Sequence, residues 1–319
     1  MRKLLLLIVL SLVPAVGVAE PLRVFASVLS IKMFVEKIGG EYVDARAMVR
    51  PGFNPHTYDP TPQQISALAD AVLYIRTGIP FEEAWMERIR SANPGMQVLD
   101  ARDSISLREI EAHSDDEPGH DAEHHTEEGD SRVHGADDPR DHSDEPNAHA
   151  TELDDDHEQD PHVWTSPPLV IQMVGAIREK LAELDPAHAA IYAQNHNAFV
   201  AELEALDREL HGLLDPLPNR RFMVFHPAWG YFADTYGLTQ VPIEHEGKAP
   251  GARALAALID QAQQEKIKVV FVQPQFDRRQ ARQVAQAIGG AVIAVDPLAA
   301  DYVDNLRRVG REFARALQP

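Results

Sequence analysis

The sequence predicts an α/β protein of two lobes, each with a mostly parallel sheet, joined by one long rigid helix. Three observations lead there. Strand and helix signals alternate through residues 23–99, and again through 221–316, the pattern of parallel sheets covered by helices. Between the two runs, Ile191, Phe199, Leu203, Leu206, Leu210 and Leu213 recur at helical spacing. A single acidic, histidine-rich stretch interrupts the first run without resembling either element type.

The elements follow in order. Arg23–Val28 reads as a strand, Ser30–Ile38 as an amphipathic helix and Val43–Val49 as a strand. A loop rich in Pro, Gly and Asn runs from Arg50 to Pro60. Thr61–Leu68 reads as a helix, with Thr61 as N-cap and Pro62 at the first helical position. Ala71–Arg76 is a strand, Phe81–Arg90 a helix and Gln97–Leu99 a strand. After the insert, Pro167–Leu184 is helical, and Asp185 and Pro186 suit the start of the long helix. That helix, 186–214, would be roughly 43 Å long at about 1.5 Å per residue. The second run then reads strand Arg221–His226, helix Trp229–Tyr236, strand Val241–Ile243, helix Ala252–Lys266, strand Val269–Val272, helix Arg278–Ile288, strand Ala291–Val295 and helix Tyr302–Ala316.

Composition narrows the function. The 319 residues carry a formal charge of −20, which argues against nucleic acid as a partner, since phosphate contacts need Lys and Arg. Residues 113–160 hold nineteen Asp and Glu, two Arg and eight His. The rest of the chain is therefore close to neutral. The stretch has no aromatic residue, and only Val133 and Leu153 exceed Ala among its aliphatics. So little apolar surface cannot offset the entropy of ordering, and the stretch reads as disordered. Arg2, Lys3, the largely apolar run Leu4–Val13, and Gly17 and Ala19 before Glu20 read as an export signal ending at residue 19. There is no cysteine, so any metal site must use imidazole and carboxylate. The expected organisation is signal 1–19, first lobe 20–112 with its end at 161–185, insert 113–160, linking helix 186–214 and second lobe 215–319.

Four residues share one structural description. His56 lies in the loop after the second strand, and His162 stands where order resumes. His226 closes the strand that begins at Arg221, and Asp296 closes the strand that begins at Ala291. In open α/β sheets ligands bind beyond the carboxyl ends of strands. Three imidazoles and a carboxylate suit Zn²⁺. Taken singly, a histidine at a strand end is more often a hydrogen-bonded structural residue, and Asp296 before Pro297 could cap a turn.

Pro51–Pro62 (PGFNPHTYDPTP), Asp160–Pro168 (DPHVWTSPP), Phe225–Tyr231 (FHPAWGY) and Asp296–Leu298 (DPL) together resemble the metal loops of the solute-binding proteins of zinc and manganese ABC importers. Gly78–Trp85 (GIPFEEAW) resembles a further segment of that family. The resemblance implies a metal site in the cleft between the lobes, with His56, His162, His226 and Asp296 as ligands. It also implies a periplasmic monomer, no enzymatic activity, and a membrane permease with its cytoplasmic ATPase as partner. Zinc members tend to carry His at the third position and a His-rich insert, and His226 and residues 113–160 match that pattern. The order of metal affinities favours zinc as well, because Mn²⁺ prefers oxygen ligands. Zn²⁺ is therefore the expected ion, with a manganese or iron carrier as the alternative.

The eight insert histidines, from His113 to His157, suit weak capture of metal or a merely solvated loop. Trp164, Trp229 and Tyr231 suit packing around the site. No HExxH, P-loop, GxSxG or GxGxxG motif occurs. A mononuclear zinc hydrolase with three His and a water is the reading from a different class. Imidazole ligands with ordinary pKa values predict proton competition near about pH 6.5.

Overall fold

The computed structural model describes residues 20–110, 159–244 and 250–318. The stretch 1–19 expected to be an export signal, and nearly all of the acidic insert, lie outside the described residues. Two four-stranded parallel sheets form the two lobes. In the first, β1 (Leu22–Ala26), β2 (Val43–Ala47), β3 (Leu73–Arg76) and β4 (Gln97–Asp100) stand in the order β2-β1-β3-β4. In the second, β5 (Arg221–Val224), β6 (Thr239–Pro242), β7 (Val269–Val272) and β8 (Ala291–Ala294) stand in the order β6-β5-β7-β8. The topologies are the same, and every paired strand is parallel.

The first lobe's helices are α1 (Leu29–Gly39), α2 (Pro62–Ala67) and α3 (Pro80–Ala92). Thr61 caps α2 as expected, in a reciprocal capping box with Gln64. The fold seats α3 by burying Glu82, whose carboxylate accepts from Ser27 Oγ, Tyr74 Oη (3.1 Å), Thr77 N (3.1 Å) and Gly78 N (2.7 Å). Burial raises the pKa of that carboxyl. Gly78 takes φ of +72°, and a Cβ there would lie 1.9 Å from Arg102, so only glycine fits this turn.

Helix α4 (Pro167–Leu184) leads to α5 (Ala189–Leu214), which is entered through a 3₁₀ turn at Pro186–His188. Asp185 does not cap the helix with its side chain. Its carboxylate instead accepts from Tyr192 Oη (2.7 Å) and lies 2.6 Å from His188 Nδ1, because those partners reach it before any free helical N–H does. Along α5, Tyr192, Phe199, Leu203, Leu206, Leu210 and Leu214 are buried at helical spacing. The helix packs on α1 and α4 of the first lobe and on α9 (Tyr302–Ala316) of the second.

One hydrophobic cluster therefore runs through both lobes. Phe34 of α1 meets Phe199 of α5 at 5.9 Å and the edge of Tyr302 of α9 at 5.0 Å. Each such ring contributes roughly 1.5–3 kcal/mol by burial. A second, smaller cluster fills the space between the second sheet and α7 (Ala252–Gln264) and α8 (Arg278–Ala287). Polar contacts also cross the cleft: Trp164 Nε1 (2.8 Å) and Ser30 Oγ (3.3 Å) both donate to the carbonyl of Pro297. Among the described residues no helix is long and apolar enough to cross a membrane.

Asp160 corrects the expected boundary of the insert. It is fully buried, and Gln159 pairs antiparallel with Glu109. Asp160 N donates to Arg108 O at 2.8 Å, so the two ends of the insert meet at a closed stem.

Candidate metal centre

Each histidine arrives from a different element. Asn54 Oδ1 accepts from the backbone N of His56 at 2.9 Å and starts the short 3₁₀ turn Pro55–Thr57 that carries the imidazole beyond β2. His162 opens the turn Val163–Thr165 ahead of α4. His226 lies two residues past the end of β5, not within it as the sequence suggests. The strand's last ladder bonds are complete by Phe225, whose N donates to Phe271 O.

The fold brings these three together. One nitrogen of each ring lies within 4.8 Å of the corresponding nitrogen of the other two. His162 Nε2 and His226 Nε2 are 3.3 Å apart. His56 Nε2 is buried and has no hydrogen-bond partner among the described residues. His162 and His226 are almost inaccessible, and His56 is partly so.

Carboxylates hold the far sides of two rings. Asp160 Oδ1 lies 2.7 Å from His162 Nδ1 and also accepts from His162 N at 2.9 Å. Glu244 Oε1 pairs with His226 Nδ1. The His226 ring is further fixed by stacking on Phe276 at 4.7 Å. Burial, reinforced by the neighbouring imidazoles, holds the pKa values of His56 and His226 well below the usual histidine value. These rings are thus kept neutral, the form that binds metal.

Asp296 is not part of the cluster. Its carboxylate accepts from Gln275 Nε2 and from Leu298 N, each at 2.9 Å. Strand order gives the reason. β8 is two strands from β5, so at about 4.8 Å per strand the backbone of Asp296 starts roughly 10 Å from that of His226. Pro297, Leu298 and Gln275 line the histidine pocket in its place.

Sequence reading missed Asp160 and Glu244. Asp160 was visible as the residue two before His162. Glu244 was visible only through strand pairing: β5 and β6 run parallel with Val224 opposite Pro242, so His226 falls opposite Glu244. Trp164 lies edge-on to His162 at 5.4 Å, and the Tyr231 hydroxyl donates to Asp160 O at 2.9 Å. Trp229 is fully buried nearby in the chain.

The family of zinc-uptake complex component A periplasmic proteins, ZnuA, matches residues 24–316. The chain belongs to this family. It is 30% identical over 313 residues to the high-affinity zinc uptake system protein ZnuA of Paracoccus denitrificans, covering 94% of this chain and 93% of that protein. It is 25% identical over 280 residues to the zinc-binding protein AdcA of Streptococcus pyogenes serotype M3, and spans 50% of that longer relative. Among solved structures, a crystal structure of ZnuA superposes with a TM-score of 0.78 at 35% identity, covering 94% of this chain and 100% of that one. A ZnuA deletion mutant lacking residues 138–173 of its own numbering, with zinc bound, superposes with a TM-score of 0.77 at 36% identity, covering 94% and 99%. The two-lobe α/β architecture expected from sequence is the architecture of these family members.

Proposed function

We propose that this chain captures Zn²⁺ outside the cytoplasmic membrane, in the periplasm, and delivers it to an ABC-type zinc import permease with its cytoplasmic ATPase. The ligands in this reading are His56, His162 and His226. One observation carries it. With Zn–N bonds of about 2.0–2.1 Å, two imidazole nitrogens of a tetrahedral site lie roughly 3.3–3.4 Å apart, and His162 Nε2 and His226 Nε2 are separated by 3.3 Å. The unpartnered His56 Nε2 supplies the third donor. Asp296 is the candidate fourth ligand, reaching the ion only if its carboxylate leaves Gln275 and Leu298.

Membership of the zinc-uptake family, and the zinc uptake and zinc binding named for its relatives, support import over catalysis. The carboxylates of Asp160 and Glu244 are also spent on imidazoles rather than poised as a general base. Three nitrogen donors favour Zn²⁺ over Mn²⁺.

The test is to refold the purified chain with equal Zn²⁺ and Mn²⁺ and measure bound metal. One equivalent of zinc at the tight site is expected, and manganese at that site would overturn the reading.

A further inference from the structure

We propose that Asp160 and Glu244 are positioning residues that hold His162 and His226 in the Nδ1–H tautomer, so that the metal-free protein already presents two facing Nε2 lone pairs to an incoming divalent ion. This deepens the zinc reading and rests on it for the identity of the ion, although the tautomer itself does not.

The argument starts from donors and acceptors. An ionised carboxylate only accepts hydrogen bonds. The guanidinium of Arg108 pairs with Asp160 at 3.3 Å, and an ionised carboxylate in contact with His162 Nδ1 requires a hydrogen on that nitrogen. With the Glu244 carboxyl ionised, its contact requires the same of His226 Nδ1. A neutral ring with hydrogen on Nδ1 has none on Nε2. Both Nε2 atoms, 3.3 Å apart and buried, are then bare acceptors facing each other. Two lone pairs at that separation repel, and a cation between them removes the repulsion. Neutral imidazole free in water favours hydrogen on Nε2, the wrong atom for this site. The carboxylates supply the energy that reverses that preference before the metal arrives.

The supports are built into the fold. Asp160 N bonds to Arg108 O, and Arg108 also pairs with Asp234 at 3.0 Å. The Tyr231 hydroxyl donates to Asp160 O and accepts from Arg108 N at 3.0 Å. A Cβ on Gly230 would fall 1.4 Å from Arg108 Nη1, so any larger residue there would displace the guanidinium from Asp160. Glu244 N donates to Phe225 O at 3.0 Å, continuing the β5–β6 ladder just far enough to set its carboxylate beside His226. His56 contrasts with both, because its contact is a backbone one to Asn54.

The test has two arms on the full chain. Long-range ¹H–¹⁵N correlation of metal-free protein with labelled histidine, near pH 8, reads each tautomer directly, with H162Q and H226Q assigning the two signals. Nδ1–H is expected for both, and Nε2–H at either would overturn the inference. The second arm compares E244L and E244Q by zinc–chelator competition and circular dichroism. E244L is expected to weaken zinc about 10–100-fold and to shift His226 to Nε2–H. E244Q, which keeps an acceptor oxygen, is expected to recover most of both. A folded E244L that binds zinc like the parent would overturn the role of Glu244. Should E244L fail to fold, the parent's own tautomers decide. Parent protein with both Nδ1–H tautomers but no zinc binding would sink the zinc reading and leave this one standing.

Discussion

The two lobes share one strand order, yet they deliver their histidines differently. The second lobe sends His226 from the central strand β5, two residues past its end, with a carboxylate on its Nδ1 and an aromatic ring against its face. The first lobe sends His162, buried with Asp160 on its Nδ1, and His56, on a loop beyond the edge strand β2, held through its backbone and only partly buried. The topology alone thus puts loops at the cleft but does not make ligands equivalent. What separates a fixed donor from a looser one is the set of side chains behind it. Asp296 makes the point from the other side, since it stands at a strand end in the right lobe but its carboxylate is committed elsewhere.

Alanine at each histidine is the harshest way to break this comparison. H162A and H226A are expected to weaken zinc by at least about 100-fold by chelator competition, because each removes one of three imidazoles. Each also strands a buried carboxylate, which costs the fold about 1–3 kcal/mol and lowers Tm. H56A should weaken zinc comparably while leaving Tm near the parent's, since no buried carboxylate depends on its ring. Equal loss of Tm in all three would show that the support of the rings is not the difference between them.

Next in size is D296N. With the carboxylate bonded to Gln275 and Leu298 in the metal-free protein, the substitution should weaken zinc less than any histidine variant, on the order of tenfold. A loss as large as that of H226A would mean that the carboxylate moves fully into the site on binding.

Lower pH sharpens the same contrast with a smaller effect. His56 and His226 are held below the ordinary value near about 6.5, so protons reach them only at more acidic pH. Apparent zinc affinity should change little between about pH 7.5 and 6.5, and the steep fall should come below that range. The metal-free fold responds with the matching sign. Below about pH 6.5 the unfolded chain binds more protons than the native one, so stability falls as pH falls toward the lowered native values. Calorimetry that placed the midpoint of the affinity loss at 6.5 itself would contradict the observed burial.

Much of this was readable in the chain, and what was not has definite causes. The spans Pro167–Leu184, Val269–Val272 and Tyr302–Ala316 appear as read, because apolar periodicity and Pro or Gly punctuation act locally. The pairing of Thr61 with Gln64 is equally local. His56, His162 and His226 were legible as residues at strand or segment ends, and the fold converges them. Glu244 was not legible, since it stands eighteen residues from His226 and meets it only through strand register. The side-chain direction of Asp296 depends on Gln275, another long-range partner. The signal, and whatever the insert does, belong to residues outside those described.

The smallest expected effect belongs to the insert. Because Glu109 and Gln159 are already bridge partners and Asp160 N bonds to Arg108 O, a short Gly/Ser link in place of residues 111–158 should close without strain. Tm and the tight zinc site should stay within error of the parent, while weaker zinc equivalents, which need the eight clustered imidazoles, should disappear. A folded deletion variant without tight binding would show that the insert contributes a ligand.

The central claim is that three imidazoles meet on one zinc ion, and X-ray absorption at the zinc edge of the singly loaded protein tests it most directly. The account predicts three histidine nitrogens at about 2.0–2.1 Å, with the multiple-scattering pattern of three imidazole rings and at most one or two oxygens. A shell dominated by oxygen, or one with a single imidazole, would contradict it.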